Sequence, residues 1–510
     1  MKKKMNTKSD VSIKKKVVIL SGLLVLSLII CSSIAIADPG SSENNKTSYT
    51  LGNVTNLTEG SPKLKLAPEN PEFVKYQESI SSSKSKRSLD GQETGLVPSP
   101  VDFDHLNYIP SADVSTPTYY DLRTLNRVTP VKNQGKIGVC WIFATYGSLE
   151  SYLKPSESWD FSENNLKNLL ITASPEGFDI NPNSGGNLLE SIAYLARWSG
   201  PVAESDDPYY PYSLTSPENL PIQKHVQDVL ILPGRRAYLD NNDIKVAVQN
   251  YGAVFTTMYY NNSSYSPTNC SYYFDGYSSS NHGVDIVGWN DSFDKNRFSV
   301  VPPGDGAFIV KNSWGTAFGE NGYFYVSYYD SNIGQGNAVF TAENPDNYKF
   351  IYQYDPLGLT SLTGYTNPTG WCANVFTAKS DEILKAVSFW TIDSNSNYEI
   401  YIYTNPESGP TNQFGPVLSK SGTISAVGYH TIPLGSGVQL KAGQKFSVVL
   451  KLTTPLYNTP IAIERPITGW SSKAKANAGE SFVSPDGVIW TDLTTYYPNT
   501  NACIKAFTVP

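Results

Sequence analysis

Apolar residues recur at helical spacing in three segments near the middle of the chain. Cys140–Leu153 has apolar positions at 142, 143, 146, 149 and 153, a pattern typical of a helix with one buried face. Ser162 predicts the N-cap of a second helix that extends to Leu170. Residues 186–199 predict a third helix, which the Gly-Pro pair at 200 and 201 ends.

After Tyr251 the pattern changes to short apolar runs with strand character. They cover residues 253–258, 283–289, 307–311 and 322–328. Helices followed by strands predict two unlike lobes with a cleft between them, and therefore an α+β fold.

The last part of the chain, residues 347–510, contains no convincing helix. Strand-like runs at 386–392, 398–403, 445–452 and 460–464 alternate with clusters of Gly, Pro, Asn and Ser. This pattern predicts an all-β sandwich without internal repeats.

The N-terminus has the order of a secretory signal, predicted for residues 1–37. Seven lysines precede an apolar run at 17–30, and Ala35-Ile-Ala37 offers a cleavage site. An uncleaved membrane anchor stays open as an alternative. Residues 38–115 are polar and carry three glycosylation sequons, so we expect an exposed leader in which 66–73 and 98–103 dock as extended strands. The sequence leaves open whether this leader is an inhibitory propeptide or a permanent strap.

Composition and charge exclude some functions. With 40% hydrophobic and 17% charged residues among 510, the chain is globular. Residues 1–37 hold seven of the 39 basic and one of the 46 acidic residues, so the rest has a net charge of −13. An acidic protein without basic clusters is a poor candidate for nucleic-acid binding. No spacing resembles a metal site, and we expect no metal and no cofactor.

Four cysteines follow the signal segment, and one of them has unusual neighbours. Gln134 stands six residues before Cys140, a glycine-bearing loop joins them, and Trp141 opens the first helix. A thiol at a helix N-terminus is favoured as thiolate, and a nearby amide can bind an oxyanion. The alternative is a buried structural cysteine. Cys372 and Cys503 lie near the two ends of the C-terminal part, and we expect them to form a disulfide.

The middle of the chain resembles the papain-like cysteine peptidases, with every motif in order over about 210 residues. The matching pieces are Asp121-Leu-Arg123, Val128-Thr-Pro-Val-Lys-Asn-Gln134, Cys140-Trp141, Gly185-Gly186, Tyr209-Tyr-Pro-Tyr212, Asn281-His282-Gly283 and Lys311-Asn-Ser-Trp-Gly315. The resemblance implies a two-lobed papain-like domain at 116–345, with a helical and a barrel-like lobe, and protein or peptide substrates.

Roles follow from the motif positions. The resemblance implies Cys140 as nucleophile, His282 as base and Asn312 as the residue that orients the imidazole. Gln134 would supply the oxyanion donor, and Trp314 would shield the Asn–His hydrogen bond. Gly185 and Gly186 would pair with an extended peptide substrate. The other histidine of this region, His225, lies among polar residues, and we interpret it as part of a solvated face.

Some features depart from the family pattern. Ile137 stands where many relatives have a half-cystine, and the long helical prosegment of many relatives is not evident. Residues 346–510 resemble the lectin-like sandwich of some microbial relatives, carried by Gly370-Trp-Cys-Ala-Asn-Val-Phe376 and Leu384-Lys-Ala-Val-Ser-Phe389. This part would bind cell-surface glycans or only buttress the peptidase.

The resulting hypothesis is a cysteine endopeptidase that is secreted or held at the cell surface. Two alternatives stay open: a carbohydrate-binding surface protein on a retired peptidase scaffold, and a transpeptidase that uses the same acyl-enzyme.

Overall fold

The computed structural model describes residues 63–81, 94–108, 114–407 and 409–510. The predicted signal peptide and the three sequons therefore lie outside the described residues. In the described part, no helix is both long and apolar enough to span a bilayer.

The α-helices are α1 (Pro71–Ser81), α2 (Cys140–Leu153), α3 (Glu163–Leu170), α4 (Leu188–Ala196), α5 (Asn242–Tyr251) and α6 (Leu493–Tyr496). Short 3-10 helices span Asp104–Tyr108, Asn262–Ser264 and Lys295–Arg297.

The first ten strands are β1 (Lys65–Leu66), β2 (Tyr119–Asp121), β3 (His225–Leu232), β4 (Val254–Met258), β5 (Tyr265–Ser266), β6 (Ser271–Tyr272), β7 (His282–Asn290), β8 (Ala307–Lys311), β9 (Tyr323–Ser327) and β10 (Asn337–Glu343).

The C-terminal strands are β11 (Phe350–Tyr352), β12 (Ser361–Gly364), β13 (Thr369–Thr377), β14 (Glu382–Thr391), β15 (Ser396–Thr404), β16 (Leu418–Ile424), β17 (Val427–Leu440), β18 (Lys445–Thr453), β19 (Ile461–Glu464), β20 (Ser481–Ser484), β21 (Thr491–Asp492), β22 (Asn501–Ala502) and β23 (Lys505–Val509).

One large sheet crosses the boundary between the two halves of the chain. Its strands run in the order β11-β23-β14-β17-β3-β10-β4-β7-β8-β9-β6-β5, with β2 beside β7. The junction is the antiparallel pairing of Val427, Gly428 and Tyr429 with β3. Gly428 is required there because a Cβ would lie 1.9 Å from the carbonyl oxygen of Val229. We call residues 346–510 the sandwich half and residues 116–345, after the resemblance noted above, the peptidase half. The two halves are thus hydrogen-bonded to each other.

Helix α2 is the central element of the peptidase half. All but one of its 14 residues are buried, so the helix is enclosed on every side and not only on the one face that its apolar spacing predicts. It contacts β4, β7 and β10 on one side and α3 and α4 on the other. Its position between the helical lobe and the sheet brings its N-terminal residue, Cys140, to the boundary of the two lobes.

The predicted elements are largely confirmed. The first two helices have the predicted bounds, and the Ser162 side chain accepts a hydrogen bond from the Asn165 N–H as an N-cap. The third helix is shorter than expected because the Asn187 side chain caps it at Leu188. The eight predicted strands are all present within about three residues, apart from the start of β14 four residues earlier.

The leader differs from the expectation. Its described residues are partly buried rather than exposed, since Phe73 and Leu106 are almost fully enclosed. Lys65–Leu66 docks as a strand on β12, but residues 71–81 form a helix that the sequence interpretation missed. The strand predicted at 98–103 is not formed. Pro71 at the first position of α1 fits that role because its missing N–H has no partner there.

Two smaller corrections concern the sandwich half and His225. The four-residue helix α6 interrupts a region expected to have no helix. His225 is buried, stacks on Trp198 with ring centroids 3.6 Å apart, and hydrogen-bonds to Asn347 at 2.7 Å through Nδ1. It is therefore a packed residue of the junction and not part of a solvated face.

Candidate active site

The thiol of Cys140 lies at the first position of α2, where the helix leaves its backbone N–H groups without helical partners. Its Sγ accepts a hydrogen bond from the Gly283 N–H at 3.3 Å. Gly283 belongs to β7, directly after His282, so the helix and the strand meet at the sulfur. The thiol is fully enclosed.

The imidazole of His282 is oriented by Asn312. Nε2 of the ring lies 2.9 Å from Oδ1 of Asn312, which also accepts the Ser313 N–H at 2.8 Å. The second contact fixes which way the amide points, so Oδ1 must accept from His282 and Nε2 must carry the hydrogen. Nδ1 is then the ring nitrogen that is left to exchange a proton.

Trp314 covers this pair from solvent. Its ring stacks on that of His282 with centroids 4.6 Å apart and an angle of 20° between the planes. Tyr260 packs edge-on against Trp314 at 4.7 Å. Exclusion of water strengthens the hydrogen bond between His282 and Asn312.

Gln134 is buried beside the same strand end. Its Oε1 accepts the Ser313 hydroxyl at 2.6 Å, and its Nε2 donates to the Ile137 carbonyl at 2.9 Å. The main chain is tied as well, because the Gln134 N–H donates to the Ser313 carbonyl at 2.8 Å. The segment that carries Gln134 is therefore fixed to the segment that carries Asn312.

Part of the leader crosses the cleft next to these residues, and we call residues 94–101 the strap. The Gly186 N–H donates to the Gly95 carbonyl at 2.9 Å, and the Val97 N–H donates to the Gly186 carbonyl at 3.0 Å. Gly95 and Leu96 both donate to the carbonyl of Asn281, the residue before His282. The position predicted to pair with an extended peptide thus pairs with this chain's own leader, in parallel.

Gly185 and Gly95 are required by this close approach. Gly185 has a φ of 85°, which glycine adopts without strain. A Cβ on Gly95 would lie 2.1 Å from backbone atoms of Gly138. The strap therefore lies directly on the loop that connects Gln134 with Cys140.

Enclosure changes the protonation of Cys140 and His282. Burial raises the pKa of the Cys140 thiol to about 11, although the N–H groups of Gly283, Gly95 and Trp141 oppose this rise. Burial also lowers the pKa of His282 to about 4, against the opposing effect of the hydrogen bond that the ring donates to Asn312. The expected thiolate is thus not the resting state of this covered form, because a buried charge on either group is costly.

A cavity of about 470 Å³ opens between the strap and the peptidase half. Leu96 and Val97 line it from the strap, and Leu189, Phe255 and Asn332 line it from the opposite side. The strap contributes to the site in a way that the sequence interpretation missed. Leu96-Val-Pro98 was the only available signal, a short apolar run in a polar leader.

The structure does not contain the predicted disulfide between Cys372 and Cys503. Cys372 and Cys503 are both free thiols. They are enclosed in different core clusters, and the thiol of Cys503 donates to the Gly358 carbonyl at 3.4 Å. Among the described residues, no group of His, Cys, Asp and Glu has the arrangement of a metal site.

Two family models match the two halves of the chain. Residues 116–342 match the family model described as papain family cysteine protease, and residues 351–508 match the one described as lectin like domain. Cathepsin J of Mus musculus is 29% identical over 260 residues, 48% of this chain and 69% of that protein. The probable cysteine protease RD19B of Arabidopsis thaliana is 27% identical over 293 residues, 53% of this chain and 74% of that protein.

Two solved structures are similar across both halves. One contains the cysteine protease and lectin-like domains of Cwp84, a surface layer associated protein of Clostridium difficile. It has a TM-score of 0.74 and 27% identity, and the match covers 88% of this chain and 98% of that one. The other is clostridial Cwp84 after propeptide cleavage, with a TM-score of 0.69, 29% identity, and coverage of 77% and 99%.

Proposed function

We propose that the chain, in which residues 116–342 match the papain family cysteine protease model and residues 351–508 the lectin like domain model, is a secreted endopeptidase. In this proposal it acts through Cys140, His282, Asn312 and Gln134. The observation that carries the proposal is the hydrogen bond of 2.9 Å between His282 and Asn312. It lies beside the helix N-terminus that bears the thiol.

The reaction begins when His282 takes the thiol proton on Nδ1. The Cys140 thiolate then attacks the scissile carbonyl carbon, and its sulfur forms the new bond as the carbonyl becomes an oxyanion. The imidazolium returns the proton to the leaving amine, which leaves an acyl-enzyme. His282 next accepts a proton from water, whose oxygen attacks the thioester, and the carboxylic acid and the thiol are released.

Gln134 and the main chain of Cys140 would hold the oxyanion. The Gln134 amide is fixed through its oxygen by Ser313, so it is preorganised and needs no rearrangement as charge develops. Loss of one such donor typically costs about 10²–10³ in turnover. The predicted loss for Gln134→Ala lies in this range.

The strap supports latency of the full chain. Its backbone occupies Gly186, where an extended substrate would pair, and it keeps water from Cys140 and His282. We infer that 94–101 must leave the cleft before a substrate binds, so residues 38–115 act as a propeptide.

Secretion and the role of the sandwich half are part of the same proposal. The basic and apolar order of residues 1–37 supports export, and the similar Cwp84 is a surface layer associated protein. The match to the lectin-like model supports binding of cell-surface glycans by residues 351–508. An adhesive role of this kind would not need Cys140.

Labelling with an epoxide inhibitor of thiol proteases tests the catalytic set. After limited proteolysis has removed the leader, we expect stoichiometric labelling of Cys140, detected by mass spectrometry of the modified peptide. Cys140→Ala and His282→Ala should abolish labelling, whereas Cys270→Ala, a second free thiol that is half-buried, should not. Labelling of His282→Ala at the wild-type rate would disprove the proposed pair.

A further inference from the structure

Asp285 is a buried acid that the proposed reaction does not use. It lies on β7, three residues after His282, and is 3% exposed. Its cross-strand neighbour on β8 is Lys311, the residue before Asn312. Among the described residues, no group hydrogen-bonds to its Oδ1.

The carboxyl of Asp285 is inserted against the catalytic helix. A Cβ at Gly147 of α2 would lie 1.9 Å from Oδ2 of Asp285. Gly147 follows Cys140 by about two helical turns. The acid therefore takes the space that a side chain at position 147 would fill, and it lies between the helix of Cys140 and the strands of His282 and Asn312.

The charged groups near this position are those of Lys311, Lys132, Glu150, Glu163 and the largely exposed Asp160, which pairs with Lys132 at 2.6 Å. Lys311 donates to Thr129 at 3.1 Å, and Thr129 donates to Glu150 of α2 at 2.5 Å. Lys132 pairs with Glu163 of α3 at 2.8 Å. On the other side of β7, the cross-strand neighbour of Asp285 is Phe255 of β4, which carries no charge.

Three buried carboxyl groups thus face two ammonium groups. One uncompensated buried charge is costly, so one carboxyl holds a proton. Glu150 accepts hydrogen bonds from Thr129 and from the Phe161 N–H at 2.9 Å. Burial raises the pKa of Glu163 to about 8, against its ion pair with Lys132. Burial also raises the pKa of Asp285 well above its ordinary value, with only partial opposition from Lys311. Asp285 is therefore a neutral acid of the group.

A small cavity connects Asp285 with Asn312. Its volume of about 20 Å³ exceeds the roughly 10–15 Å³ that one water molecule needs. Asp285, Asn312 and Glu163 all line it. Within the described part of the chain, Oδ1 of Asp285, Nδ2 of Asn312 and Oε2 of Glu163 make no hydrogen bond, and a water with two to four partners satisfies such groups.

We propose that Asp285 is a positioning residue that, with one water molecule in this cavity, holds the Asn312 amide and so the ring of His282. Asn312 is then fixed from both ends of its amide. Its oxygen is held by His282 and Ser313, and its nitrogen by the water. This inference rests on the proposed roles of His282 and Asn312, and on a residue outside the motifs that suggested them.

Histidine NMR on the full chain tests the inference without relying on turnover. The chain has four histidines, so [15N]histidine labelling gives a simple spectrum, and His282→Gln identifies the resonance of His282. We expect the Nε2–H of His282 to exchange slowly with solvent in the wild-type chain. Asp285→Asn, which keeps size, neutrality and hydrogen bonding, should change this exchange rate by less than about twofold.

Asp285→Leu removes the polar atoms at nearly constant volume and should accelerate the exchange by about tenfold or more. If this variant does not fold, Asp285→Ala, which only enlarges the cavity, replaces it. Glu464→Gln is the matched control, because Glu464 is a buried acid of the sandwich half whose pKa is raised to about 8 by burial. It should leave His282 unchanged.

Two outcomes would overturn the inference. An unchanged His282 resonance in Asp285→Leu at a lowered melting temperature would show a purely structural residue. Equal disruption by Asp285→Asn and Asp285→Leu would show that the acid acts as a charged partner of Lys311. Failure of epoxide labelling with an intact His282 response would instead disprove the proposed function and leave the positioning role in place.

Discussion

The leader contacts the two halves of the molecule by different kinds of interaction. In the peptidase cleft the strap is held by main-chain hydrogen bonds of Gly95, Leu96 and Val97. On the sandwich half the leader is held by side chains and a strand. Lys65–Leu66 pairs with β12, and Glu69 forms an ion pair with Arg465 at 2.5 Å.

An aromatic contact completes this second attachment. Phe73 of α1 packs edge-on against Trp470 of the sandwich half, with ring centroids 5.4 Å apart, and Trp470 in turn contacts Phe178 of the peptidase half. The sandwich half therefore holds the leader through side chains as well as a strand, whereas the cleft holds the strap mainly through its backbone and requires glycine at position 95. We call these contacts of residues 65–73 with the sandwich half the anchor. The difference indicates that the anchor positions the strap in the cleft.

Removal of the leader is expected to have the largest effect on the site. With the strap in place burial raises the pKa of Cys140 to about 11, so the neutral thiol dominates below that pH. Alkylation by iodoacetamide should then accelerate with pH up to about 11 and level off above it. Without the strap, water reaches both groups, and His282 can take the proton. Each pKa unit is tenfold in thiolate, so alkylation at neutral pH should rise at least about 100-fold.

The measurement is the alkylation rate of the Cys140 peptide between pH 5 and pH 11, before and after limited proteolysis. Cys270 serves as an internal control because it is a free, half-buried thiol outside the cleft. Identical profiles for Cys140 in the two samples would show that the strap does not control its pKa.

Elements with a local sequence pattern could be predicted, whereas contacts between distant residues could not. Periodicity predicts three elements: the helix that begins at Cys140, the helix capped by Ser162 and the strand that begins at His282. Their apolar spacing is a local pattern that the sequence shows directly. The family resemblance of the motifs is confirmed by the matches to both domain models. The roles assigned to Cys140, His282, Asn312 and Gln134 remain predictions.

The misses are long-range. Gly95-Leu-Val97 offers only a short apolar run as a signal that it crosses the cleft, since main-chain pairing leaves no side-chain pattern. The burial of His225 depends on Trp198 and Asn347, which are distant in sequence. The predicted disulfide between Cys372 and Cys503 rests on their positions near the ends of the C-terminal part. The packing around each thiol, which the sequence does not show, determines whether the disulfide forms. In the sequence, Asp285 is one polar residue in an apolar run. Its contact with Gly147 is visible only in the structure.

Gly95→Ala tests the cleft side of the comparison and should have the second largest effect. The new Cβ would lie 2.1 Å from the backbone of Gly138, which cannot yield easily because its N–H is held by Asn183 at 2.8 Å. Overpacking of this kind costs about 1–3 kcal/mol. Epoxide labelling of the full chain should therefore accelerate about 5- to 150-fold.

Thr94→Ala in the same strap removes atoms rather than adding them, and its labelling rate should stay near that of the wild-type chain. The leader-free protein should label equally fast with either residue at position 95 in the precursor. A full-length Gly95→Ala chain that labels no faster than wild type would mean that the strap is held from elsewhere.

Phe73→Ala tests the anchor, and its effect at the cleft should be the smallest of the three. Truncation of a fully buried Phe costs about 3–5 kcal/mol, so α1 should detach from Trp470, and its amides should exchange hydrogen faster. The main-chain bonds of the strap remain, and they lose only the local concentration that the anchor provides. Labelling of Cys140 should rise about two- to fivefold, and Val74→Ala, at a site 39% exposed on the same helix, should change neither readout. If Phe73→Ala instead accelerates labelling as much as removal of the whole leader, the main-chain contacts contribute nothing on their own, and the sandwich half alone keeps the peptidase closed.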